Sequence, residues 1–109
     1  MAITVKEYIN THPVIIYHSV VTETVYVLSK VYGVSRSEIA GVLMKFIDLP
    51  HVYTEERDVL TKVLELFGEN SLDFVDCLLC AYHIVRSYDV FTFDKKLTKL
   101  INREGGRNE

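Results

Sequence analysis

The stretch Ser71–Asp94, SLDFVDCLLCAYHIVRSYDVFTFD, limits most strongly what this chain can fold into. Between Asp73 and Arg86 the apolar residues Phe74, Val75, Cys77, Leu78, Leu79, Cys80, Ala81, Tyr82, Ile84 and Val85 surround a helical axis. A helix apolar on nearly every side is normally buried on several faces, so other elements must pack around it. Its polar residues are confined. At about 100° per residue, Asp73, Asp76, His83 and Arg86 fall within one arc of roughly 140°. Asp73 is placed to serve as N-cap, with Asp76 at the third position as a variant of the capping box. After Ser87-Tyr88-Asp89, the run Val90-Phe91-Thr92-Phe93 has strand composition. Asp94 stands where a further helix, Lys95–Asn102, begins.

Two carboxylates therefore open helices, and one of them directly follows an expected strand. Each of Asp73, Asp76 and Asp94 can be read as a cap that complements a helix dipole. If they converge, they can be read differently. Sites in open α/β sheets are built at the carboxyl ends of the strands. Several carboxylates gathered there, without a Cys/His set, suit a hard divalent cation such as Mg²⁺ or Mn²⁺. Cys77 and Cys80 form a CxxC inside the helix, which reads as buried core thiols and not as a redox turn. His12, His18, His51 and His83 show no paired metal-binding pattern. Only His83, two turns from Asp76 on the same line, lies near the acidic set, as a group that orients a phosphate or bonds a carboxylate, or as a boundary histidine.

The chain is 109 residues long, which makes one domain with a real core. No apolar run approaches the roughly 20 residues of a membrane span, and the start lacks a signal-peptide pattern, so a cytoplasmic protein without a membrane partner is expected. A net charge of −3 argues against tight nucleic-acid binding through bulk electrostatics, although an acidic metal site would itself supply negative charge. Residues 1–102 read as the domain and 103–109 as a flexible tail.

Taken in order, Ile3–Thr11 reads as a short helix ending before Pro13, and Val14–Tyr17 as a strand. His18–Tyr32 is rich in β-branched residues, yet its length and the stop at Gly33 favour a helix. Ser35-Arg36-Ser37-Glu38 is a capping box opening a helix with Ile39, Val42, Leu43, Phe46 and Ile47 on one face. His51–Tyr53 reads as a short edge strand. Thr54 is expected to cap the next helix, Val59, Leu60, Val63, Leu64 and Phe67 to form its apolar stripe, and Gly68 to stop it. The alternation β-α-α-β-α-α-β-α predicts an α/β domain with a mainly parallel sheet.

Two segments carry a family resemblance. One is TETVYVLSKVYGVSR, residues 22–36; the other is DFVDCLL, residues 73–79, followed by FTFD, residues 91–94. Over roughly residues 5–101 the chain resembles a PIN domain, closest to the toxin (VapC-type) ribonucleases of bacterial and archaeal toxin–antitoxin pairs. The resemblance implies a three-layer α/β/α fold. It implies that Glu23, Asp76 and Asp94 bind Mg²⁺ or Mn²⁺ and carry catalysis, with Asp73 and Thr92 beside them in an outer role. It further implies an RNA substrate and an antitoxin protein as partner. The metal in such a site lowers the pKa of a water and offsets charge on the phosphoryl oxygens.

One departure limits the likeness. The family begins with a strand ending in an aspartate, in a DTN or DTS context, and no such segment stands here. That strand is the middle one of the family's sheet, so its absence leaves unpaired backbone beside Val14–Tyr17 and Val90–Phe93. Loss of its carboxylate weakens metal affinity and so impairs hydrolysis. Glu7 and Asp89 are substitutes on charge alone. Three arrangements answer the open sheet: direct pairing of the flanking strands, a strand-exchanged homodimer, or a separate partner strand. Self-association is the expected one.

Overall fold

The computed structural model describes Thr4, Glu7, residues 12–92 and residues 94–104. The fold is mixed α/β and mostly helical. Its elements are β1 (Val14–Ile16), α1 (His18–Tyr26) continued by a π-helical turn (Val27–Val31), α2 (Arg36–Ile47), β2 (Val52–Thr54), α3 (Arg57–Glu69), α4 (Phe74–Arg86) and α5 (Lys95–Glu104). The expected helix at Ile3–Thr11 lies largely outside the described residues.

Among the described residues the sheet consists of β1 and β2, which pair in parallel with Val14 opposite Val52, Ile15 opposite Tyr53 and Ile16 opposite Thr54. Strand alternation turns Val52 and Ile16 toward the helices and leaves Ile15 and Tyr53 more than half exposed on the other face. Val90, Phe91 and Thr92 do not form the expected third strand, and Phe93 lies outside the description. Their composition suits a strand, but a strand also needs an adjacent strand to pair with, and among the described residues the sheet holds β1 and β2. Phe91 is left 88% exposed.

The β-branched run His18–Tyr26 is helical, as its length required. Thr22 and Thr24 donate their hydroxyls to the carbonyls of His18 and Val20, four residues back, which lets them sit inside a helix. No side chain of its own caps α1. The carboxylate of Glu55, 37 residues further on, accepts from His18 N at 2.8 Å instead. That contact satisfies a free helix-end donor and sets negative charge at the positive end of the dipole.

Ser35 caps α2 as expected, accepting from Glu38 N at 3.3 Å. Two expectations for α3 are corrected. Thr54 is the last residue of β2 and not a cap. Glu56, held in the left-handed region at φ 46°, precedes the first turn. Gly68 does not stop the helix, which runs to Glu69. A Cβ at Gly68 would lie 3.1 Å from the Cβ of Ala40, so the glycine permits close approach of α2 and α3.

The core joins α1–α5 and β2 through Val25, Ile39, Val52, Val59, Leu60, Val63, Leu64, Phe67, Cys77, Cys80 and Leu97, among others. Helix α4 is buried along Phe74, Cys77, Cys80 and Ala81. Its Val75 and Leu79 are 51% and 37% exposed, so it is not enclosed on every side as its composition predicted. Burial holds the thiol of Cys77 up to about 12 and that of Cys80 up to about 11, as fits core residues. Helix α4 closes with Ser87 in the left-handed region and Ser87 N donating to His83 O at 3.0 Å, an αL-type end. Helix α5 continues to Glu104, two residues into the expected tail.

Candidate functional site

Helix α1 runs antiparallel to α4. The His18 ring at its start lies 6.5 Å from that of Tyr82, while Tyr26 and Ser29 share a pocket with Asp73 and Asp76 at the start of α4. The acidic N-terminal end of α4 thereby faces the α1 end, and the start of α5 completes it. A cleft of about 320 Å³ is lined by Asp73, Asp76 and Asp94 together with Lys95 and Lys96.

Asp76 is partly buried there. Burial raises its pKa above the ordinary carboxylate value, and the neighbouring charges of Asp94 and Asp73 raise it further. The three aspartates therefore form one electrostatic group. Asp94 is also a cap: its Oδ1 accepts from Leu97 N at 2.9 Å, and its own N–H donates to Thr92 Oγ1 at 3.0 Å. Thr92 thus fixes the turn that aims Asp94. Asp73 precedes α4 in an extended conformation but makes no side-chain cap bond, so its carboxylate is available to the cleft.

Glu23 is not brought to this group. It is exposed and lines a shallow depression with Val20, Thr24, Val27 and Leu28, whereas Thr22, Tyr26 and Lys30 face the pocket shared with Asp73 and Asp76. Side chains one position apart on a helix point about 100° apart, and that rotation separates Glu23 from the aspartates. His83 is not brought there either. It sits seven residues along α4 from Asp76, roughly 10 Å up the axis, with its Nδ1 2.9 Å from Tyr88 O. Asp89 follows the same far end of α4.

Oxygen donors alone suit a hard divalent cation. Their placement does not assemble a site: among the described residues no group of three or more His, Cys, Asp or Glu side chains is arranged to hold a metal ion. One Asp94 oxygen is already committed to Leu97.

Two features had little signal in the sequence. Arg36, expected only as part of a capping box, donates Nε to Phe67 O at 3.0 Å and Nη2 to Leu72 O, and stacks 3.8 Å over the Phe67 ring. It pins the α3–α4 connection and, with Lys30, gives a cationic wall to the pocket of about 420 Å³ beside Asp73. At the other end of α4, Arg86 donates Nη1 to Asp58 Oδ2 at 2.6 Å and Nη2 to Asp58 Oδ1 at 2.9 Å, with Glu56 3.6 Å away. Tyr82 donates to Glu56 Oε1 and stacks on Tyr88. The acidic run Glu55-Glu56-Arg57-Asp58 and the i, i+4 pair Tyr82/Arg86 are visible in sequence, but nothing local says that they meet.

The chain matches no protein-family model, no curated protein and no solved structure. No helix among the described residues is long and apolar enough to cross a membrane.

Proposed function

We propose that this chain is a PIN-type domain of the toxin-ribonuclease branch that retains part of an acidic site and, by itself, acts as an interaction module and does not hydrolyse RNA. The carrying observation is the split of the three matched carboxylates. Asp76 and Asp94 share one cleft with Asp73, while Glu23 lies on another face. The residue patterns TETVYVL, DFVDCLL and TFD support the ancestry, as does a parallel strand pair with intervening helices. On this reading the family's three-layer arrangement arises only when the sheet is completed beside β1, and any antitoxin or RNA contact is made by the scaffold. Asp76 and Asp94 would be the positions that hold Mg²⁺ or Mn²⁺, and such an ion would supply water activation. Two carboxylates, one already bonded to a backbone amide, leave that ion underheld.

A second reading, an active endoribonuclease, is favoured by one observation: Lys30 and Arg36 line the pocket adjoining Asp73 and Asp76, where a phosphodiester could be held beside the acids. Incubation of the purified, folded chain with RNA in Mn²⁺ separates the two. Intact RNA is expected. Cleavage that EDTA and Asp94→Asn both abolish would establish the enzyme and overturn the module.

A further inference from the structure

The pocket of about 420 Å³ between α1 and the start of α4 is lined by four charged side chains, Lys30, Arg36, Asp73 and Asp76. None of them takes part in an ion pair among the described residues, so each cation stands more than 4.0 Å from each carboxylate. Arg36 is half-buried. Its Nε and Nη2 donate to the carbonyls of Phe67 and Leu72, which hold the guanidinium without neutralising it and leave Nη1 over. A cation withdrawn from water without a carboxylate is unfavourable until an anion completes it. On the acidic side Asp76 is partly buried, and no donor among the described residues bonds the carboxylate of Asp73 or Asp76. Val25, Phe67 and Phe74, all buried, give the pocket its apolar lining. The π-helical turn Val27–Val31 contributes to the same wall. A π turn advances less per residue than an α turn, which swings Lys30 back toward the face that Tyr26 and Ser29 present to the pocket. Single π turns recur at functional sites.

We propose that this pocket binds a small zwitterion, a free α-amino acid with an apolar side chain. Lys30 and Nη1 of Arg36 donate to its carboxylate, its ammonium donates to Asp73 and Asp76, and its side chain packs on Val25 and Phe74. The mixture of signs selects this class over simpler ligands. A phosphate drawn to the two cations meets two carboxylates in the same pocket, and a lone amine drawn to the carboxylates meets the cations. A ligand that carries both charges close together, with an apolar group beside them, satisfies every part of the lining. An amino acid is also of the right size, because the pocket lies toward the low end of the range for small-molecule sites. The inference does not rest on the ancestry proposed above, and it uses no metal.

Amide NMR titration of the nitrogen-labelled full chain in metal-free buffer tests it. The probes are L-leucine, isoamylamine, which is leucine without its carboxylate, and isocaproate, which is leucine without its amine. Leucine is expected to shift the amides of Ser29, Lys30, Asp73 and Asp76, and each half-ligand to bind about tenfold more weakly. Lys30→Gln and Asp73→Asn alter exposed side chains, so both variants retain the fold, which helical circular dichroism checks. Each should weaken leucine about tenfold. Lys30→Gln should not weaken isoamylamine, and Asp73→Asn should not weaken isocaproate. Absence of any shift at millimolar leucine overturns the inference. So does equal binding of leucine and its two half-ligands, which would mark a plain apolar hole, and so do variants that leave leucine binding unchanged. Tighter binding of adenosine monophosphate than of leucine also overturns it, in favour of a phosphate site.

Discussion

Asp94 accepts a hydrogen bond from Leu97 N and at the same time raises the proton affinity of Asp76, so its two readings, cap and site carboxylate, make different predictions for one substitution. Asparagine also caps well, so Asp94→Asn keeps the first role while removing the charge. The variant should be more stable than the parent at neutral pH by about 0.5 kcal/mol, a figure kept small because solvent screens so open a cleft. The sign of the pH dependence follows from the raised pKa. The native state holds the Asp76 proton more tightly than the unfolded chain, so Asp76 costs stability as pH rises from 3.8 through its native value. The gain from Asp94→Asn should therefore vanish in acid, where Asp76 is protonated and has no charge to be repelled, and urea unfolding at two pH values measures it. Asp58 behaves oppositely. The Arg86 hydrogen bonds hold its pKa down to about 2, so its contribution is complete above 3.8 and lost as pH falls toward that lower value. Arg86→Met should flatten this acid limb in pH-dependent thermal unfolding, and an unchanged limb would remove the pair from the account.

The elements show where local chemistry suffices. Ser35 and Glu38 were legible as a cap because both partners lie within one turn. Gly68 was not, since its reason for being small is Ala40, on another helix. In an isolated helix Gly→Ala gains roughly 1 kcal/mol, whereas overpacking at a rigid contact costs about 1–3. Gly68→Ala should accordingly lower stability by about 1 kcal/mol. A rise in the denaturation midpoint would show that α2 and α3 part without cost. Helix α1 illustrates the same division. Its β-branched content pointed to a strand and its length to a helix, and backbone-bonded Thr22 and Thr24 reconcile the two. Its N-terminal partner, Glu55, is distant in sequence and was invisible there.

At the scale of the molecule, the open sheet and the bare α1 face pose separate questions. Ile15 and Tyr53 stay exposed on one face of a sheet that, among the described residues, has two strands, and Val20, Val27 and Val31 stay exposed on a helix. The RNA-cleavage assay addresses whether the acidic cleft works without more carboxylates. Intact RNA is the outcome expected. By itself the sequence determined the helices α1–α4, the start of α5, the apolar stripes that form the core and the closeness of Asp73 to Asp76. All of these depend on residues within a turn or two of one another, because a helix bonds its own backbone. Only the tertiary structure decided that Val90–Thr92 is not a strand, that Glu23 turns away from Asp76, that Arg36 braces Phe67 and that Asp94 joins the cleft. A strand, a convergent site and a packed contact each require a partner from elsewhere in the chain, and where that partner stands depends on how all the elements pack together.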